Sequence, residues 1–357
     1  IPTMNRPNYV DRLLSYYVGM NFIGTVLIID SSDEKNSRHI KERIKNINKD
    51  NYVYIYSKGS ATTVIKNNLS LVKTRYVSFL GDDDFLIPNS ILNSISFLED
   101  NKDISGCRGD GIIVTDSNVS SDEIRMYSQV NRLEEASADR VVQHFLNYVT
   151  PFFHVLRSDL FKKVFSLAPS ESELRQDYDR LIGEELLASG LMLAYGKFAM
   201  IDGLHLVRTN NIERIVERDT WYNKESCEGR KKAVFDFVNK ISIVISEQDS
   251  ITLSEAEEIV KKIQKTSVFN KGNNNIFIVN FRRFFKPFLI SINVWRYISI
   301  LIGRSVDFKR YLYAIFFVKQ KNRVMLKNLL NPHNRYHDDF IPVYLSLIGR
   351  KHKKTDE

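Results

Sequence analysis

Three adjacent carboxylates carry the most suggestive chemistry in this chain, in the turn Gly81-Asp82-Asp83-Asp84-Phe85. Like charges at that spacing repel, so a folded protein must compensate them. A divalent cation would do so, because hard cations take carboxylate oxygens and often bring substrate phosphates with them. The plainer alternative is a solvated acidic turn that caps the helix beginning near Pro88, since a helix N-terminus also favours carboxylates. The triplet alone does not separate the two readings.

The elements around the turn favour a site. The apolar run Tyr76-Val77-Ser78-Phe79-Leu80 reads as a short buried strand leading into it, and Ile91, Leu92, Ile95 and Leu98 mark a helix after it. Upstream, Ile1-Pro2-Thr3 reads as a strand end running into a loop closed by Pro7. Val10, Leu13, Leu14, Tyr17 and Val18 then fall at helical spacing. Residues 24–29 form an apolar strand ending in Asp30-Ser31-Ser32-Asp33, residues 38–47 a helix, 52–56 a strand, and 60–72 a further helix. Strands that alternate with helices and are apolar throughout predict a parallel sheet covered on both faces. Ligands of such sheets sit beyond the C-terminal strand ends, where Thr3, Asp30 and Asp82–Asp84 all fall. Residues 108–115 read as another strand, residues 116–137 as a surface excursion, and residues 196–208 as a strand pair.

Bulk composition bounds the rest. The 357 residues are enough for two domains, and we place one over 1–222 and a helical, basic region over 223–357. Cys107 and Cys227 give no disulfide framework or metal cluster, so a reducing, cytoplasmic setting is expected. The opening on Ile1, without an initiator Met, reads as a strand already under way and leads us to expect a few trimmed residues before it. We expect no signal peptide, and no apolar run reaches membrane-spanning length.

The net charge of +8 is unevenly placed. Residues 270–357 hold 17 Lys/Arg against 5 Asp/Glu, whereas the remainder of the chain is slightly acidic. That basic part contains Phe281-Arg282-Arg283-Phe284-Phe285-Lys286-Pro287, an apolar run from Phe288 to Ile302 interrupted by Arg296, and a basic end at 350–354. Aromatic residues flanked by Arg and Lys suit a helix lying on anionic lipid. A helical accessory region with its apolar faces turned inward suits the composition equally. Nothing here resembles a nucleic-acid reader.

In order along the chain, four marks resemble the GT-A glycosyltransferases, specifically the inverting family 2. They are Ile1–Pro7, Ile28-Ile29-Asp30-Ser31-Ser32, Lys66-Asn67-Asn68, and Phe79-Leu80-Gly81-Asp82-Asp83-Asp84 with Pro88. The resemblance covers residues 1 to about 210. It implies a GT-A α/β fold, mostly parallel sheet flanked by helices. It also implies a UDP-, GDP- or dTDP-linked sugar donor, Mg²⁺ or Mn²⁺ on the diphosphate, and a glycan or lipid-linked acceptor. Carried over by position, Thr3, Asn5 and Arg6 line the nucleotide pocket, Asp30 meets the base, Lys66 lies near base or phosphates, and Asp82 faces the ribose. Asp83, with Asp84 beside it, matches the metal ligand, although Gly81 stands where many members carry the first acid. Which of the three acids holds the metal stays open.

The family places its general base in an acidic pair before a Gly, and Glu184-Glu185 with Gly196 has that spacing. Helical register also puts Glu185 on an apolar face with Leu181 and Ile182, where a buried pairing with Arg157, Lys197 or Arg208 is the ordinary explanation. Asp177 and Asp179 are rivals for the base. Arg208 is a diphosphate contact or an ordinary ion-pair arginine, and His205 is a metal or phosphate contact or a structural histidine. The reading is a metal-dependent inverting glycosyltransferase of surface-glycan assembly, peripheral on the inner membrane face. The alternatives are a sugar nucleotidyltransferase, whose Gly-rich loop Asn5-Arg6-Pro7 does not supply, and a catalytically inactive glycan-binding or scaffold module.

Overall fold

A computed structural model describes residues 1–115, 124–127, 130–169, 180–210, 227–264 and 323–349. Asp177, Asp179, residues 116–123 and 128–129 of the surface excursion at 116–137, the aromatic-basic stretch 281–302 and the basic end 350–354 therefore lie outside the described residues.

Two sheets organise the chain. The first is wholly parallel, ordered β1 (Pro2–Thr3), β2 (Val26–Asp30) and β3 (Tyr52–Tyr56). Its crossovers are α1 (Pro7–Gly19) and α2 (Glu34–Ile47). Pro7 starts α1 at a position where a missing N–H costs nothing. Asp33 caps α2, accepting from the Asn36 N–H at 2.9 Å. Register sets Thr3 opposite Asp30, so two residues far apart in sequence share one sheet edge.

The second sheet is mixed. It contains β4 (Tyr76–Val77), β5 (Phe85–Leu86), β6 (Ile104–Thr115), β7 (Ile124–Met126), β8 (Val155–Arg157), β9 (Lys197–Asn210) and β10 (Arg323–Val324). The long strand β6 runs parallel to β9 on one side and antiparallel to β8 and β7 on the other. β5 joins the far edge of β9. The strand expected over 76–80 is only two residues long, and the segment after it runs directly into the acidic turn.

Residues 196–208 form one strand rather than a pair. Asp202-Gly203 resembles a turn, yet it acts as a bulge within β9. Gly203 takes a φ of 106°, and the pairing register shifts between Arg108 and Asp110. Gly109 faces this bulge because a Cβ there would run into the Gly203 carbonyl oxygen.

Helices α3 (Ala61–Asn67), α4 (Pro88–Asp100), α5 (Ser137–Leu146), α6 (Ser158–Ser166) and α7 (Leu187–Tyr195) complete the N-terminal two-thirds. A π-helical turn, Leu181–Leu186, leads directly into α7. The hairpin of α8 (Cys227–Asp249) and α9 (Leu253–Ile263) packs Phe237, Ile241 and Val260 into the same core as Phe145 and Leu191. Gly190 permits that contact, since a Cβ would meet the Ile241 side chain.

The chain's last described stretch returns to both sheets, adding a strand to the second and covering a helix of the first. β10 pairs with β7, and α11 (His337–Leu347), after the short α10 (Leu326–Leu329), packs against α1. Leu329, Phe340 and Val343 are buried there with Val10, Leu13 and Leu14. Phe340→Ala is accordingly expected to cost about 3–5 kcal/mol of stability, read as a lowered urea midpoint. A surface appendage would show almost no change.

Candidate active site

The acidic turn is not solvated. Asp82, Asp83 and Asp84 are 5%, 2% and 1% exposed, which removes the reading of a water-facing cap. Each carboxylate is instead met by partners from distant elements. Thr3 Oγ1 donates to Asp82 Oδ2 at 2.7 Å, and Arg6 donates to Asp82 Oδ1 at 2.6 Å and to Asp83 Oδ2 at 3.1 Å. The Thr209 N–H donates to Asp84 Oδ1 at 2.9 Å and Arg208 Nε to Asp84 Oδ2 at 3.3 Å. Arg12 and the Thr209 hydroxyl hold the Asp83 carbonyl. Guanidinium groups thus supply part of the compensation that three adjacent acids require.

Burial pushes the Asp82 carboxyl up to about 6, against the opposing pull of Arg6 and Thr3 and with help from Asp83 and Asp84. Burial alone would lower the Arg208 guanidinium, yet Asp84, Tyr127 and Glu185 hold it above the ordinary arginine value. Arg208 is also sandwiched by aromatic rings. Its guanidinium carbon lies 5.1 Å from the Tyr127 centroid and 4.9 Å from that of Phe153.

Asp30 sits across β1 from this cluster and is fully buried. Its carboxylate accepts from the Ser32 N–H at 2.9 Å and the Tyr54 hydroxyl at 3.0 Å. Asn5 adopts a left-handed backbone (φ 56°), which asparagine tolerates. Its N–H donates to Ser32 Oγ and its Oδ1 accepts from the Asp33 N–H, so it ties the two loops at the sheet edge together. Lys66 turns elsewhere and donates to the Ala168 carbonyl at 2.6 Å.

The acidic pair divides its roles. The Glu184 carboxylate accepts from the Ser60 and Thr62 hydroxyls at the start of α3. Glu185 Oε1 accepts from the Tyr148 hydroxyl at 2.8 Å. Its charge acts on both Arg208 and Tyr127, which puts it on the Arg208 side of the acidic turn. The π-helical turn carries both residues, a local widening of the helix often found at functional sites. Of the other cations weighed for Glu185, Arg157 donates to the carbonyls of Leu98, Asn101 and Ile104, and Lys197 pairs with Glu135 and Asp103.

His205 is structural in this geometry. Its Nδ1 accepts from the Ser90 hydroxyl at 2.8 Å and its Nε2 donates to the Phe153 carbonyl at 2.9 Å. Burial pushes it down to about 3. Tyr54, Arg12, Tyr148, Phe153, Tyr127 and Thr209 gave no signal in the sequence. They come from loops and strand ends whose convergence only the fold reveals.

The acids have the donor chemistry a divalent cation needs. Gly81 lies against the two later acids: a Cβ there would be 3.1 Å from Asp83 Oδ1 and 3.5 Å from Asp84 Oδ2. These two oxygens border a small space that a side chain would fill. Among the described residues no group of three or more His, Cys, Asp or Glu side chains could hold a metal.

Two crystal structures of TarS from S. aureus resemble the chain. The first has 13% identity and a TM-score of 0.43, covering 73% of this chain and 41% of the other. The second, TarS 1–349, has 14% identity and a TM-score of 0.46, covering 76% and 72%. The chain thus spans less than half the length of the first of these. No curated protein matches it. Residues 1–165 match the family model for glycosyl transferase family 2. That segment, a little under half of the chain, holds β1 to β3 with Thr3, Arg6 and Asp30, and the buried acidic turn, and it is similar to family 2 glycosyltransferase domains.

Proposed function

We propose that the chain moves a sugar from a nucleotide-sugar donor to a hydroxyl of a glycan or lipid-linked acceptor, with inversion, in surface-glycan assembly. The observation that carries this reading is the buried junction of Asp82–Asp84 with Thr3, Arg6 and Arg208, one β-strand away from Asp30. The donor's base lies toward Asp30 and Tyr54, and its ribose toward Asp82 and Thr3. Its diphosphate lies toward Arg6 and Arg208.

Asp83, with Asp84 beside it, would hold a divalent cation. When bound, that cation supplies Lewis-acid stabilisation of charge on the departing diphosphate. Arg6 and Arg208 add fixed positive charge to the same place. Glu185 takes the proton of the acceptor hydroxyl as its oxygen bonds the anomeric carbon and the bond to the diphosphate breaks. Attack from the face opposite the leaving group inverts the centre. Glu184, bound to Ser60 and Thr62, is left to anchor the π-helical turn.

The anionic membrane surface remains part of the proposal through residues 281–357. Its support is compositional, and no helix among the described residues is long and apolar enough to cross a membrane. A thermal-shift screen of UDP-, GDP- and dTDP-sugars with and without Mn²⁺ tests the donor reading. One nucleotide is expected to raise the melting temperature by several degrees only with metal, about 4–8 °C per kcal/mol in small domains and less in a chain of this size. No shift with any nucleotide would reject the site.

A further inference from the structure

The Tyr127 backbone is held more firmly than its position just after a three-residue strand suggests. Its N–H donates to the Gly111 carbonyl at 2.6 Å, and its carbonyl accepts from Arg108 Nη2 at 2.5 Å. Gly111 makes this closeness possible, since a Cβ there would lie 2.8 Å from the Tyr127 oxygen and 2.9 Å from Arg108 Nη2. Arg108 is fully buried, and its guanidinium carbon lies 5.2 Å from the Tyr127 ring centroid. Its Nε also donates to the Gly109 carbonyl at 3.1 Å, so backbone oxygens from β6 and from Tyr127 together hold the buried guanidinium beside the ring.

The same ring meets the active site. The Arg208 guanidinium carbon lies 5.1 Å from the ring centroid. Arg208 in turn donates to Asp84. On its other edge β7 pairs with β10, with Arg323 opposite Arg125 and Val324 opposite Ile124. A contact path therefore runs from the C-terminal return through β7 and Tyr127 to the acidic turn. The family match ends at residue 165 and does not include that return.

We propose that Tyr127 is a positioning residue that keeps the Arg208 guanidinium turned onto Asp84, and that the Arg323–Val324 strand keeps Tyr127 in register. The kinetic consequence rests on the reading of Asp82–Asp84 as the donor site. The positioning itself does not.

The test uses the full chain with ¹⁵N-labelled arginine. The Arg208 Nε–H signal is assigned by its loss in Arg208→Lys, and its hydrogen exchange is followed. Tyr127→Leu removes the aromatic ring and keeps an apolar side chain. It is expected to speed exchange at Arg208 Nε–H about tenfold and to lower kcat/KM for the donor about tenfold, the scale of one partly desolvated cation–π contact. Tyr127→Phe keeps the ring and should stay near the parent in both readouts, and Val324→Pro, which disrupts the strand pairing, should speed the same exchange.

Unchanged Arg208 exchange in Tyr127→Leu overturns the role of Tyr127, whatever turnover does. Unchanged exchange in a folded Val324→Pro chain overturns the role of the return. If the parent chain turns over no nucleotide sugar, the donor-site reading fails by itself, and Arg208 exchange still decides the positioning.

Discussion

Asp83→Ala is expected to lower kcat/KM by about 10²–10³-fold, the usual loss when one preorganised electrostatic contact to a transition state is removed. Asp83 is the middle acid. Asp82 is tied to Thr3 and Arg6, and Asp84 to Arg208 and the Thr209 backbone. Those ties remain in the variant, so the turn keeps its shape and the loss falls on function. Donor binding should also lose its dependence on Mn²⁺, which titration calorimetry with and without metal would show. Parent-like, metal-dependent binding by the variant would move the ligand role to a neighbouring acid. Parent-like turnover would remove Asp83 from the catalytic machinery, and an absence of turnover in the parent itself would favour the inactive-module alternative.

Glu185→Gln should act on a different step. The amide keeps the volume and can still accept from Tyr148, but it cannot take a proton from an acceptor hydroxyl. A fall in kcat of about 10²–10⁴-fold is expected, with donor affinity little changed. Single-turnover kinetics alongside direct donor binding separates the two quantities. Asp177→Asn and Asp179→Asn are the matched controls. If either equals or exceeds the effect of Glu185→Gln, the base is there and Glu185 instead balances the charge of Arg208.

The legible part of the site was the part written as strand ends. Thr3 and Asp30 stand opposite each other because two apolar strands finish there, and the acids follow a third apolar run. Periodicity shows such residues without any knowledge of the fold. Two further residues that hold the acidic turn were harder to see. Arg12 lies within a helix and Thr209 near the end of a long strand, and nothing in their local sequence points inward.

Three structural features ran against local pattern. A 3.6-residue reading of Glu185 cannot anticipate a π-helical turn, which adds a residue and turns Glu184 and Glu185 toward different partners. Asp202-Gly203 has the composition of a hairpin turn, but the long pairing of β6 with β9 outweighed it and made it a bulge. The C-terminal return was hidden by its own brevity. A two-residue strand leaves no alternation to count, and Pro342 inside α11 reads as a helix breaker although the helix continues through it.

That return changes how the basic, aromatic segment should be regarded. The fold holds the chain at α9 on one side of residues 265–322 and at β10 on the other. A protease cut between those two points would leave two fragments still clasped through Leu329, Phe340 and Val343 against α1. Such a nicked chain should migrate as one species on a sizing column and separate only in denaturant.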